Sequence, residues 1–453
     1  MSYEPARTLR DVHRVTNPVK PLESGDPRYV PCEEVRGNED VVALMFDTIA
    51  WEEEGNYTYQ LFTGHRGCGK STELLRLKAR LEGAGYAVIY FEGSDDLDLN
   101  DVQYSDIILA IVRRVTSDLA QQGIDLDEGL LEQVLDWFGE TLYTRDEWRD
   151  LQRTLEVEAS LGVGLPAQIP LVARLLARVT GQIQSGEQVK HSIRRKLDPQ
   201  ISQLIERANL LFDEARRKLE HPLVIIVDNL DRITLQEIGL ERTNHDAIYI
   251  DHGEQLRGLA AHVIYTIPIS MFYSVRAPVL TAIFPDYAVL PMIKSRTRGG
   301  QPAEAGLLVL REILGRRIAL DEVFTNEAVD HLCQMCGGHP RDLMSLVRYS
   351  TRYAQNRWPH PIDLNAATRA TGKLITEYNR TIPEEHYLLL ARGHLDKSIS
   401  NDAAHRLMLY NQSVLEYYNG PPPWHDVHPT VLELPKFQTA LEEERKNRGL
   451  FAV

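Results

Sequence analysis

The octet Gly64-His65-Arg66-Gly67-Cys68-Gly69-Lys70-Ser71 has the composition and spacing of a loop that wraps phosphate. Its glycines let successive backbone N–H groups turn inward around phosphate oxygens, and a helix that begins where the loop ends adds the partial positive charge of its N-terminus. Lys70 is then placed to reach the terminal phosphates, the Ser71 hydroxyl to ligate Mg²⁺, and Thr72 to line the same cradle. A second stretch, 223–228, is an apolar run closed by an acid. A carboxylate at a strand end, here Asp228, is what holds a magnesium shell beside a triphosphate. ATP with Mg²⁺ is the expected ligand, and GTP stays open because no base-reading motif is evident.

These groups need a scaffold that brings two strand ends together. Short, nearly continuous apolar runs at 57–63, 86–91, 223–227, 262–267 and 287–290 alternate with helical stretches, the pattern of a parallel sheet buried on both faces. The predicted fold is α/β, with a five-stranded parallel core. The loop falls between the first strand and a helix over 71–81. A long gap between the second and third strands reads as a helical insertion at about 125–215. After the fifth strand the apolar spacing becomes helical, and 374–453 reads as short helices with a hairpin around Asn419-Gly420, a winged-helix-like unit. The expected organisation is an extended arm (1–37), the core with its insertion (38–295), a helical lid (296–373) and the terminal module (374–453).

The stretches 63–72 and 224–232 together resemble the additional-strand P-loop ATPases, the AAA+ and STAND branches, with an origin-recognition-like layout over about 35–349. The resemblance implies further roles, position by position. Many of these ATPases carry a Glu directly after the metal-binding Asp; here that position is Asn229, and an amide cannot act as a carboxylate base. Asp231 is the expected substitute, with Glu73 and Glu92 as further carboxylates able to approach, and slow turnover is expected. Residues 35–39 sit where these proteins carry a short motif beside adenine. Thr266 resembles the polar residue that reads the γ-phosphate or positions water. Arg341, in Gly337-Gly338-His339-Pro340-Arg341, resembles the lid arginine that reaches back over the nucleotide. Arg276 lies in the stretch that supplies a neighbouring subunit's site with an arginine finger, and Arg296 and Arg298 are rivals. A homo-oligomer is implied.

Composition narrows the partners. Hydrophobic residues make up 43% of the 453 residues and charged residues 25%, ordinary for a globular chain. Asp and Glu outnumber Lys and Arg by 65 to 50, a formal charge of −15, so any nucleic-acid contact must be a local basic patch. The runs Arg194-Arg195-Lys196 and Lys294 to Arg317 are such patches, although solvated helix faces are the commoner explanation. Four cysteines and no apolar secretory stretch suit a reducing cytoplasm, and no apolar run is long enough for a bilayer. Cys333-Gln334-Met335-Cys336 with His339 offers three ligands where zinc needs four, so a core-facing pair is expected.

The leading functional expectation is a nucleotide-controlled conformational or assembly switch, with a separate protein effector and a role in bacterial defence or stress signalling. The alternatives are an ATP-dependent DNA-binding or loading factor and a non-catalytic, nucleotide-bound scaffold.

Overall fold

A computed structural model describes residues 3–239 and 242–450; the first two residues of the expected arm and the last three of the terminal module lie outside it. Five parallel strands form the central sheet: β1 (Tyr59–Gly64), β2 (Ala87–Glu92), β3 (Leu223–Asp228), β4 (His262–Pro268) and β5 (Tyr287–Leu290). Their order across the sheet is β2-β3-β4-β1-β5. Strand β4 therefore stands between the strand that feeds the loop and the strand that ends in Asp228.

Period-two alternation explains why β3 is apolar throughout, because side chains leave a strand on opposite faces in turn. Leu223, Ile225 and Val227 pack with the insertion helices, whereas Val224 and Ile226 join Phe62, Leu74 and Leu77 on the other face. The insertion is a layer of helices: Glu128–Leu142, Arg145–Leu161, Leu171–Ser185, Glu187–Leu197 and Ile201–Leu219. Val134, Leu176 and Leu211 seal it onto the sheet. The Gly- and Pro-rich turn after Leu161 is gathered by Arg174, whose guanidinium donates to the carbonyls of Val163, Leu165, Pro166 and Ile169.

The N-terminal segment is not extended throughout. Helix α1 (Leu9–Val15) opens at Thr8, whose Oγ1 accepts the Asp11 N–H, and Val12 is fully buried against the lid. Apolar residues at Val12, Val30 and Val35 pay the ordering entropy that a charged arm could not offset. After helix α2 (Lys70–Gly83) and the sheet come the lid helices, among them α3 (Pro340–Ala354) and α4 (Leu364–Asn379). Helix α4 runs straight across the expected boundary at 373/374. The terminal module holds helices His386–Asp396, Ala403–Tyr410 and Pro435–Asn447 with the antiparallel pair β6 (Val414–Tyr417) and β7 (Trp424–Val427), a winged-helix-like arrangement. Arm, lid and terminal module share one apolar core.

Candidate nucleotide site

The loop leaves the C-terminal end of β1 and enters α2 at Lys70, with left-handed backbone at Gly64, Gly67 and Gly69. Gly67 has a second reason to be glycine: a Cβ there would lie 2.6 Å from that of Arg341. Arg36 supports the loop from behind, donating to the carbonyls of Cys68 (2.6 Å) and Pro291 (2.7 Å) while itself buried. The motif expected beside adenine thus supplies an arginine that braces the cradle.

Lys70 and Asp228 converge. Ser71 lies beside the Asp228 carboxylate, which accepts from Tyr90 Oη (2.8 Å) and the Asn229 N–H (2.6 Å). Burial pushes the Asp228 carboxyl above its usual range, against these donors. Lys70 Nζ donates to the carbonyls of Gly64 (2.9 Å) and His65 (3.0 Å) and pairs with Asp231 Oδ2 at 2.9 Å. Burial alone would raise the Asp231 carboxyl, but the Lys70 ammonium overrides it and holds it below the usual range. Asp231, the expected substitute base, is therefore engaged by the loop lysine. Asn229 takes a left-handed conformation (φ 63°), which Asn tolerates better than most residues, and its Nδ2 donates to Glu92 Oε2 at 2.6 Å. Thr266 Oγ1 accepts the Leu230 N–H (2.9 Å) and donates to Val227 O, tying β4 to the turn that carries Asp228 and Asp231.

The lid closes the other side. Arg341 stands at the start of α3, its backbone N–H on Gly67 O (3.3 Å), its Nε buried without a partner. Desolvation, with Arg232 nearby, lowers its guanidinium. A cavity of about 170 Å³ runs from the loop between Asp228, Asp231 and Arg341 to the arm residues 15–32 and the lid side chains Ile313 and Met344. The arm is bound at this mouth: the Leu22 N–H donates to Thr72 Oγ1, and Tyr29 and Arg76 engage Glu73. Arg276 lies away from the cavity, paired with Asp251 at 2.6 Å. Several members of the basic runs are engaged inside the chain. Arg194 pairs with Asp101 and Asp106, Arg311 with Asp330, and Arg316 and Arg317 donate to the carbonyls of Tyr29 and Arg28. Cys333 and Cys336 are buried thiols in the lid core.

The terminal module reaches the loop itself. The Glu416 N–H, on β6, donates to His65 Nε2 at 2.8 Å; Gln412 Nε2 donates to Arg66 O, which His339 Nε2 also meets at 2.6 Å. Arg66 stacks over the Tyr410 ring at 4.0 Å. Burial drives His65 well below its ordinary value, so it stays neutral and accepts this bond. Sequence reading missed Tyr90, Gln412 and Glu416. No local pattern marks them, because each reaches the site from a distant element.

Sheet order, loop and strand-end acid define a P-loop nucleotide-binding fold of the additional-strand class. No protein-family model matches the chain, and no curated protein does. Solved structures do. The ORC2 protein of Aeropyrum pernix with ADPNP and ADP is 12% identical over 96% of this chain and 98% of that one, with a TM-score of 0.40. Cdc6p of Pyrobaculum aerophilum is 12% identical over 95% and 98%, TM-score 0.37. A Walker-type ATPase of Pyrococcus abyssi is 10% identical over 94% and 99%, TM-score 0.43. Among the described residues no helix is long and apolar enough to cross a membrane.

Proposed function

We propose that this chain is an ATP–Mg²⁺-binding regulatory ATPase whose nucleotide state sets the position of the lid and terminal module. The carrying observation is the bond from the Glu416 N–H to His65 Nε2. A residue of the phosphate loop is part of the interface with the last module, so a change in the loop on filling the cradle alters that contact directly. Loop amides and Lys70 hold the phosphates, and Arg341 takes the charge of the γ-phosphate from the lid side. The residues fit Mg²⁺: Ser71 and Asp228 present adjacent hard oxygen donors, and this ion commonly takes one or two protein oxygens plus phosphate. When bound it neutralises charge on the β- and γ-phosphates. A switch of this kind acts on a separate protein effector or on further copies of itself, in a cytoplasmic setting such as bacterial defence or stress signalling. The test is small-angle scattering and mass measurement with ADP and with a slowly hydrolysed ATP analogue. A change of shape or mass between the two supports the switch, and identical profiles contradict it.

A second reading, an ATP-dependent DNA-binding factor, is favoured by one surface. Arg10 and Arg14 on α1, Arg352 on α3 and Arg369 on α4 are exposed, with Tyr353 beneath Arg369 at 4.3 Å. Cations interleaved with an aromatic ring suit a phosphate backbone with its bases. DNA affinity that falls steeply with salt, and falls further on replacing Arg352 and Arg369, supports this reading.

A further inference from the structure

Resting on the hydrolytic reading above, we propose that Glu92 is the carboxylate that receives the proton of the attacking water, with Asn229 as its positioning residue. Glu92 stands directly opposite Asp228 in the β2–β3 register, so both acids leave the sheet together at the edge where the phosphate loop opens. Asn229 Nδ2 grips Glu92 Oε2 at 2.6 Å, and the Ser94 hydroxyl approaches the same oxygen at 3.5 Å. Among the described residues no cation pairs with Glu92, and its Oε1 has no hydrogen-bond partner. The other carboxylates are committed. Asp228 shares Ser71 at the metal position, and Asp231 is bound to Lys70 at 2.9 Å, which makes it the poorer proton acceptor. Glu73 is held by Arg76 at 2.6 Å and by Tyr29.

The position after Asp228 thus carries an amide, and the carboxylate it lacks stands one strand away, joined to it by a hydrogen bond. In the reaction the water oxygen bonds to the γ-phosphorus. The bond from that phosphorus to the β–γ bridging oxygen breaks, and its electron pair stays on ADP. The water proton passes to Glu92 and then to the released phosphate. The amide of Asn229 cannot take the proton; it fixes the rotamer of the group that does.

The experiment compares full-length wild type and Glu92→Gln by equilibrium ATP–Mg²⁺ binding and by single-turnover hydrolysis. Glu92→Gln is expected to bind within about threefold of wild type while hydrolysis slows at least about 100-fold. Should Glu92→Gln fail to bind, the reciprocal exchange Glu92→Asn with Asn229→Glu keeps one amide and one acid. It is expected to recover at least about tenfold over Glu92→Asn alone. Wild type that binds no ATP overturns the function proposed above. Wild type that binds ATP without hydrolysing it, a Glu92→Gln enzyme as fast as wild type, or an exchange no better than the single change each overturns the Glu92 assignment.

Discussion

Lys70 Nζ lies 2.9 Å from Asp231 Oδ2, and each side chain is only 5% exposed. With the carbonyls of Gly64 and His65, the pair uses all three N–H bonds of the ammonium. On the proposed function, an entering phosphate meets a lysine already satisfied, and the acceptor it replaces most readily is the carboxylate, whose charge it matches.

This pairing makes the loop lysine a stability residue as well as the proposed phosphate ligand. Lys70→Ala strands a buried carboxylate and is expected to cost about 3–5 kcal/mol in urea unfolding. Adding Asp231→Asn removes the orphaned charge and is expected to restore most of that loss. Additive losses in the double variant would show that the two side chains do not share an interaction.

The contact between loop and hairpin has its own signature. His65→Ala removes the acceptor of the Glu416 N–H and is expected to cost about 1–3 kcal/mol. Hydrogen exchange at the Glu416 amide is the direct reading, and it should accelerate more than exchange at the β3 amides. Unchanged protection at Glu416 would detach the terminal module from the loop.

At Gly338 the chain has no room. Its φ is +78° and a Cβ would sit 1.7 Å from the Ile293 carbonyl. Gly338→Ala is expected to lose more than about 3 kcal/mol, or to leave the protein insoluble, because both strain and overlap oppose the methyl group. A stable, soluble Gly338→Ala protein would contradict the close approach of lid and core at this point.

The phosphate loop and the parallel sheet were legible in the chain because their determinants are local. The loop octet, the apolar run into Asp228 and the alternation of strands and helices each depend on neighbours in sequence, and five strands lie where periodicity puts them. What sequence could not reveal depends on tertiary approach. The commitment of Asp231 to Lys70, the Asn229–Glu92 bond across two strands and the reach of Gln412 to Arg66 O join residues with no shared periodicity. The arm misled for a related reason: its charges suggested an extended segment, yet the few apolar side chains at Val12, Val30 and Val35 suffice to dock it.

Two buried histidines set an acid limit. His262 Nδ1 accepts the Thr58 N–H at 3.1 Å, and burial lowers its pKa to about 4; burial does the same to His245, beside Ile233 O. Both folded values lie below the ordinary 6.5. The unfolded chain therefore binds more protons between about 4 and 6.5, and stability is lost as pH falls through that window. Each site is expected to cost about 2 kcal/mol by pH 5, measured as the drop in urea-unfolding free energy from pH 7. His262→Gln should flatten that drop; an equal drop in the variant would mean that His262 does not stay neutral in the folded chain.

The central claim is that one cradle, built from loop amides, Lys70 and the Ser71–Asp228 pair, binds the phosphates of ATP with Mg²⁺. Calorimetric titration tests it most directly, with the Lys70→Ala, Asp231→Asn double variant as the folded control. Saturable binding by wild type and a loss of at least about 100-fold, close to 2.7 kcal/mol, in the double variant is the predicted result. Equal affinity in the two proteins, or no saturation of wild type at millimolar ATP, would contradict it.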